Sequence, residues 1–564
     1  MYSPTSVRTF HSGASCLIKQ FCEEIGLVTM INEALSWDPK QWQVDPGRHA
    51  LALVINMLCG REPLYHVEHY YREQDVEVLF GEGVQASHFN NDALGRMLDR
   101  FYEAGAKKLF TAITLRHLMT DEQPLLFAHA DTTSKSFYGV YDRESDSEAI
   151  RITRGFSKDH RPDLKQMVIG LLTVKGGTPL LASVNDGNQD DPTWNADMLE
   201  QIERELSPEA RRKLVYIADS KFFSGPNVAK ATEKEIRFIS LVSEQHKLRG
   251  EAIEEALKQD AFVDAGTFSE QKKASVYRIC EVRQTFHDHD LRLVVCHSSH
   301  LFHQKQATFR RMLETEKEQL LQEAAKETKE TFACRKDAEQ AWQRWQKRHR
   351  KAWHPCTPQI EAVTRQAKRQ QRGRPTKGEE PVIETVYRLG IEVGDVSPEQ
   401  IAEHEQRLGY FVLATNVADP ALLSARDVLR EYKEQSSVEL RFQFLKDPAF
   451  VDALFLKSPE RIEALSYLLL IALFVCMTME NRLRLALRQT KTRLQPERGN
   501  YTDKPTAKTI IRLLSLVTTI LLFDPAERVW RRYMTYYDHP EVPKVFQLLG
   551  VDPNCYTTVA TRSG

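Results

Sequence analysis

The chain predicts a mixed α/β core, a sheet covered by helices, with helical regions at both ends. Three observations predict it. Between Pro124 and Ser243, short apolar runs first crowd together and then alternate with helical stretches. That is the pattern of hairpins followed by crossover units. Before Pro124 and after about Ala425, apolar residues recur at helical spacing,. A chain of 564 residues is also too long for one domain, and suggests about three or four units.

Residues 1–120 read as helical, with Arg48–Cys59 and the stretch from Ala93 as amphipathic examples, punctuated by Pro46-Gly47, Gly60 and Pro63,. This region suits either a small helical DNA-binding domain or a helical cap on the neighbouring sheet. Strand-like runs come next at 125–131, 136–141, 167–174 and 180–184. A helix from about Trp194 to Leu206, a strand at 214–220, a helix near 227–234 and a strand at 238–243 complete this part. From Glu251 to about Leu301 the chain reads as β-rich, and from His303 to Arg369 as long, charged and helical. Strand-like runs return at 384–393 and 410–417, and the remainder from about Ala425 reads as helical.

Composition narrows the function classes. There are 77 basic and 78 acidic residues, a net charge of −1, which excludes a uniformly basic coat. Local stripes still suit nucleic acid. Residues 335–377 hold 13 Lys/Arg against 3 Asp/Glu, and residues 482–532 hold 12 against 4. Either stretch could follow a DNA backbone or simply be solvated. Nine cysteines without a CxxC pair argue against a disulfide framework and predict a reducing, intracellular setting,. His287, His289, Cys296, His297, His300 and His303 lie close together, but without zinc-finger spacing,. No signal-like segment opens the chain,. The apolar run Leu465–Met479 has 15 residues. A span needs about 20, so a buried core helix is expected.

Three carboxylates draw attention. Asp131, in HADTTS, and Asp219, in YIADSKF, each stand at the end of an apolar strand-like run. There a rigid backbone can hold a metal ligand, although a capping Asp looks the same. The third is Glu439. Tyr432, Gln435 and Lys446 lie at −7, −4 and +7 from it. At 100° per residue they fall at about +20°, −40° and −20° from it, on one narrow polar helix face. Such a face suits solvent, or a carboxylate for metal beside Lys and Tyr for phosphate oxygens.

This order of elements and carboxylates resembles a DDE transposase of the bacterial insertion-sequence type. Tyr432, Glu439 and Lys446 match the family's Y-x2-R-x3-E-x6-K signature, with Gln435 in place of the usual Arg. The segment RGFSKDHRPDLKQMVIGLL at 154–172 resembles the block of that family that runs into the third strand. The resemblance implies an RNase H-like mixed-sheet core split by an inserted β-plus-helical domain. On that layout, 1–120 is the helical N-terminal region for DNA-end recognition and 121–245 the first part of the core. Residues 246–410 are the insertion, 411–480 the second part of the core with the Glu helix, and 481–564 a helical C-terminal region for DNA contact or dimerisation.

The resemblance also implies the chemistry. Asp131, Asp219 and Glu439 would hold two Mg²⁺ ions, with Mn²⁺ possible, about 3.5–4 Å apart. One ion would activate water or a DNA 3′-hydroxyl, and the other would stabilise the leaving oxygen. DNA would be nicked at the transposon end and the freed end joined to target DNA. Tyr432, Lys446, Arg154, Lys158, Arg161 and Lys165 would contact DNA phosphates. His129 and Thr132 flank the first Asp, with His129 either supporting it or serving as an ordinary strand histidine. The implied partners are transposon-end and target DNA and a second copy of the chain in the synaptic complex. The implied location is the bacterial cytoplasm, on the nucleoid. Two alternatives remain: an inactive sequence-specific DNA-binding protein on the same scaffold, or a Mg²⁺-dependent nuclease without strand transfer.

Overall fold

The computed structural model describes residues 7–118, 126–139, 141, 147–268, 274–367, 382–435, 442, 444–445, 456–497, 499–524, 528–536 and 539–560. The chain divides into two compact units, Met1–Ser243 with Arg283–Arg292 and Ala414–Gly564, and Glu244–Val282 with Leu293–Leu413.

After β1 (Val7–Phe10), the N-terminal region is helical from Ser15–Glu24 through Ala106–Leu118. Its helices start where the sequence supplies caps. Asp45 accepts the Arg48 N–H ahead of a first-turn proline, and Asn90 accepts the Ala93 N–H,. Gly47 lets the helix Pro46–Ile55 meet its neighbour, since a Cβ there would lie 2.4 Å from the Val28 carbonyl oxygen.

The strands that carry the site come next. They are β2 (Leu126–Phe137), β3 (Lys165–Val174), β4 (Thr178–Asn185), β5 (Leu214–Ala218) and β6 (Arg237–Val242). Their order across the sheet is β4-β3-β2-β5-β6. β2, β3 and β4 pair antiparallel, whereas β2, β5 and β6 pair parallel. The two parallel connections run through helices Asp191–Glu205 and Gly225–Glu233, as parallel pairing requires. Every residue of β5 is buried and β3 is buried along nearly its whole length, which is why both read as continuous apolar runs.

The second unit begins with a helix, Lys247–Gln259. It continues through β7 (Val263–Gly266), β8 (Tyr277–Phe286) as far as Val282, β9 (His289–Ser298) from Leu293 and the long helix Ser299–Glu327. β10 (Thr331–Phe332), β11 (Cys356–Gln366) and β12 (Ile383–Val393) form a small sheet with β12 in the middle. β13 (Tyr410–Thr415) neighbours β9. Phe309, Leu313 and Val396 pack with Trp353 and Ile401 as a separate apolar cluster.

The core of the first unit is built on the helix Pro459–Thr490, started by the Ser458 cap with Pro459 behind it and closed by left-handed Lys491. By length and composition it could cross a membrane, but 94% of its most apolar stretch is buried in the protein. The 15-residue apolar run is thus the middle of a 32-residue core helix. Leu468, Ile471, Phe474 and Val475 are fully buried in the cluster that joins the N-terminal helices to this helix. Arg461 anchors it with two 2.7 Å bonds to Asp99.

Four expectations need correction. The two runs expected at 125–131 and 136–141 are not separate strands, because β2 runs unbroken from Leu126 to Phe137 and keeps its antiparallel partner through Phe137. Asp131 is therefore in the middle of β2, not at its end. The β-rich stretch expected from Glu251 opens as the helix Lys247–Gln259, and the charged helical stretch ends in β11, whose residues 356–366 pair with β12 along their whole length. The C-terminal region is not wholly helical. β14 (Leu494–Glu497) pairs with β15 (Asn500–Thr502), and β16 (Thr518–Asp524) lies between β17 (Val529–Thr535) and β1. TTILLFD and VWRRYMT are rich in β-branched and aromatic residues, which suit a half-buried pleat,.

Candidate active site

β2 and β5 run parallel, with His129 opposite Ile217. Asp131 stands two residues further along β2, and Asp219 two residues beyond Ile217, just past the end of β5. Adjacent strands lie about 4.8 Å apart, so the register sets the two carboxylates side by side. β5 stops at Ala218, while β2 continues with β3 alone. Asp219 thus opens the loop after β5. Its side chain accepts the Lys221 N–H at 2.9 Å, and its carbonyl accepts the Ser240 hydroxyl at 2.9 Å.

A third carboxylate joins them. Asp191 is the first residue of the helix Asp191–Glu205, capped by Asp190. A carboxylate is favoured there by the helix dipole. The helix is drawn close by Gly170 on β3, which pairs with Thr132 on one side and Ser183 on the other. A Cβ on Gly170 would lie 2.0 Å from the Trp194 indole nitrogen, and that nitrogen donates to Ser183 Oγ at 2.8 Å. Asn195 ties the same helix to β5 by accepting the Tyr216 hydroxyl at 2.6 Å and donating to the Asp191 carbonyl at 2.7 Å.

Lys158 fills the space between. Its ammonium lies 3.6 Å from Asp131 Oδ1 and 3.3 Å from Asp191 Oδ1. It donates to the Thr132 carbonyl at 2.9 Å and to Thr132 Oγ1 at 2.6 Å. Thr132 Oγ1 in turn donates to Asp191 Oδ1 at 2.5 Å, and the Thr132 N–H donates to Asp131 Oδ1 at 2.7 Å.

The electrostatics reflect this crowding. Burial pushes the Asp131 carboxyl up from 3.8 to about 6, and the Asp219 and Asp191 charges push the same way. The Lys158 ammonium and the Thr132 N–H pull it back. Asp219 is raised too, first by burial and then by Asp191, against its bond from Lys221. His129 is buried, its Nδ1 has no hydrogen-bond partner among the described residues, and burial pushes it down to about 4.

The other expected residues are dispersed. Arg161 binds Asp163 through two bonds and the Tyr138 hydroxyl at 3.1 Å. Lys165 donates to the Tyr141 carbonyl at 3.3 Å, and Arg154 is exposed. Glu439 and Lys446 lie outside the described residues. Tyr432 is on the helix Ala425–Lys433, which closes with Glu434 as its C-cap, and Gln435 lies in the turn beyond. One uninterrupted helix from Tyr432 to Lys446 is thus corrected, since the helix ends before Gln435.

Asp131 within β2 and Asp219 just past the end of β5 offer hard oxygen donors, the donor type that Mg²⁺ or Mn²⁺ takes,. Among the described residues no three His, Cys, Asp or Glu side chains are arranged to hold an ion. All nine cysteines are free thiols, and Cys296 is buried within β9. Asp191 escaped the sequence reading because DDPTW reads as an ordinary helix start. Its only signal was a second acid beside the cap.

Comparison with known proteins adds three findings. A family described as transposase DDE domain matches residues 146–475, and a domain of unknown function, DUF4277, matches residues 11–115. Asp219 and Glu439 fall within the first match, and Asp131 just before it. No curated protein matches. Among solved structures, the cryo-EM piggyBac transposase synaptic complex with hairpin DNA is similar at TM-score 0.36 and 9% identity, over 89% of this chain and 79% of that one.

Proposed function

The chain belongs to the transposase DDE domain family, and from that premise we propose that it cleaves DNA at the ends of its own element and joins them to target DNA. The observation that carries the proposal is the placement of Asp131 and Asp219 two residues beyond the paired His129 and Ile217, with Asp191 and Lys158 beside them. The core is then RNase H-like, with 246–410 as an insertion, and Glu439 supplies the third catalytic carboxylate.

In this reading Asp131, Asp219 and Glu439 hold divalent metal, which when bound supplies a Lewis acid for the nucleophile and the leaving oxygen. The remaining work belongs to the chain. Asp131 is held by strand pairing and the Thr132 N–H, and Asp219 by the Lys221 N–H and the Ser240 hydroxyl, so they need little reorganisation,. Water attacks the phosphorus at the element's end, the P–O3′ bond breaks, and the 3′-oxygen leaves as a hydroxyl. That hydroxyl then attacks a target phosphodiester and displaces its 3′-oxygen. Lys158, Arg154, Arg161, Lys165, Tyr432 and Lys446 grip phosphates. Phe156, 87% exposed and two residues before Lys158, offers a face on which a base can stack,. Residues 1–120 recognise the end, two copies assemble on paired ends, and the protein works in the bacterial cytoplasm on the nucleoid.

The test is cleavage of a DNA fragment bearing the element's own end, with Mg²⁺ or with EDTA. Nicking that needs Mg²⁺ is expected, lost in Asp131→Ala and Asp219→Ala. Glu439→Gln is expected to bind the end as the wild type does and to cut at least a thousandfold more slowly, as about 4 kcal/mol of lost transition-state stabilisation implies. Normal cutting by Glu439→Gln removes it from the site. End binding without cutting in Mg²⁺ or in Mn²⁺ would point to a DNA-binding protein instead.

A further inference from the structure

Without DNA, the side chains of the basic block at 154–165 are turned to different partners. Arg161 is satisfied by Asp163 and Lys165 by a carbonyl, yet Lys158 turns inward to the carboxylates. Its backbone is held for that purpose. The Thr153–Gln166 bridge, together with the Gln166 side-chain amide donating to the Phe156 and Gly187 carbonyls, fixes the approach. Gly155 packs on Gly187, where a Cβ would lie 2.1 Å from the Gly187 oxygen, and the Lys158 N–H donates to Ser134 Oγ at 3.0 Å. Four oxygens surround the ammonium, two from Thr132 and one each from Asp191 and Asp131. All four are hard oxygen donors, of the kind a divalent cation takes.

A divalent ion and this ammonium cannot both sit against Asp131 Oδ1 without strong like-charge repulsion. We propose that Lys158 is a built-in place-holder for the divalent cation. In the DNA-free protein its ammonium occupies the cation site, Thr132 and Asp191 position it there, and a cation enters only as the ammonium withdraws. An incoming DNA phosphate is the natural destination for the displaced ammonium. Loading is thus coupled to DNA, and the free protein stays poor in metal. The inference rests on the reading of Asp131 as a metal ligand.

The experiment is calorimetric titration of the full-length, DNA-free protein with Mn²⁺. Lys158→Met keeps the length and removes the charge. It is expected to bind Mn²⁺ at least tenfold more tightly than the wild type, equivalent to about 1.4 kcal/mol. Lys158→Gln, which retains a donor for the Thr132 carbonyl, is expected to show the same gain and secures the test if Met disturbs folding. Lys158→Arg keeps the charge and should bind as weakly as the wild type. Unchanged or weaker binding in both neutral variants overturns the place-holder, as does a lack of binding in all of them. Asp131→Ala, alone and combined with Lys158→Met, separates the two ideas. If it abolishes wild-type binding while the neutral variants show no gain, the metal site stands and only the place-holder falls. If the double variant keeps the gain, the cation is not on Asp131 and the metal-site reading falls.

Discussion

Asp131 carries opposing demands. Its carboxyl titrates near 6 in the folded chain against an ordinary 3.8, chiefly because it is buried. A raised carboxyl binds its proton more tightly when folded. It therefore favours folding below pH 3.8 and progressively disfavours it as pH rises to about 6, the window set by the shift,. Asp131→Asn should accordingly be about 1–3 kcal/mol more stable than the wild type at pH 8, with no advantage at pH 3.5, while cleavage is lost. Urea titrations at the two pH values decide it. A loss of stability at pH 8 would mean that the contact with Lys158 outweighs burial. Asp131 and Asp219 were both visible in the sequence as acids in apolar strand contexts. Asp191 and the inward turn of Lys158 were not, because each depends on atoms more than 25 positions away along the chain.

At the scale of elements, the site depends on how closely one helix approaches one sheet. Gly170 leaves the space that Trp194 fills, and Trp194 sets the height of the helix whose first residue is Asp191. Gly170→Ala should cost about 1–3 kcal/mol through overpacking, measured by urea unfolding. A cost under about 0.5 kcal/mol would show that the helix shifts freely and that the glycine does not set the site. The strands and helices between 165 and 243 match the apolar pattern closely, since buried parallel strands and capped helices leave strong local signals. The errors occurred where local signals conflict. β2 reads as two strands because the polar stretch at 132–136 interrupts the apolar run, yet Thr132, Thr133 and Ser134 are buried by neighbours that local pattern cannot show. β11 comes after a charged helix without any apolar run of its own, and is exposed along most of its length.

Across the whole molecule, the ends of the chain are joined. β1 pairs with β16 from the far end of the sequence, and Ser12 Oγ meets Thr519 Oγ1 at 2.7 Å. Arg532 on β17 binds Asp75 at 2.7 Å and Glu77 at 2.8 Å, with the Asp75 side chain only 5% exposed. Removing one partner of such a pair strands a buried charge. Arg532→Ala is therefore expected to cost about 3–5 kcal/mol, and Asp75→Asn in the Arg532→Ala background to recover much of that loss. Thermal unfolding of the single and double variants would show it, and additive losses would sink the idea.

The sequence by itself determined the mixed α/β class, the run of strands and helices that leads to Asp219, and the burial of the long apolar helix. Each of these rests on periodicity or composition within a few turns of chain. Tertiary structure alone decided that the β2/β5 pairing carries Asp131 and Asp219 towards each other, that Asp191 stands beside them, and that Lys158 sits between Asp131 and Asp191. The physical reason is that strand pairing, a glycine's missing side chain and the reach of an ammonium act across space between residues whose separation in sequence carries no signal.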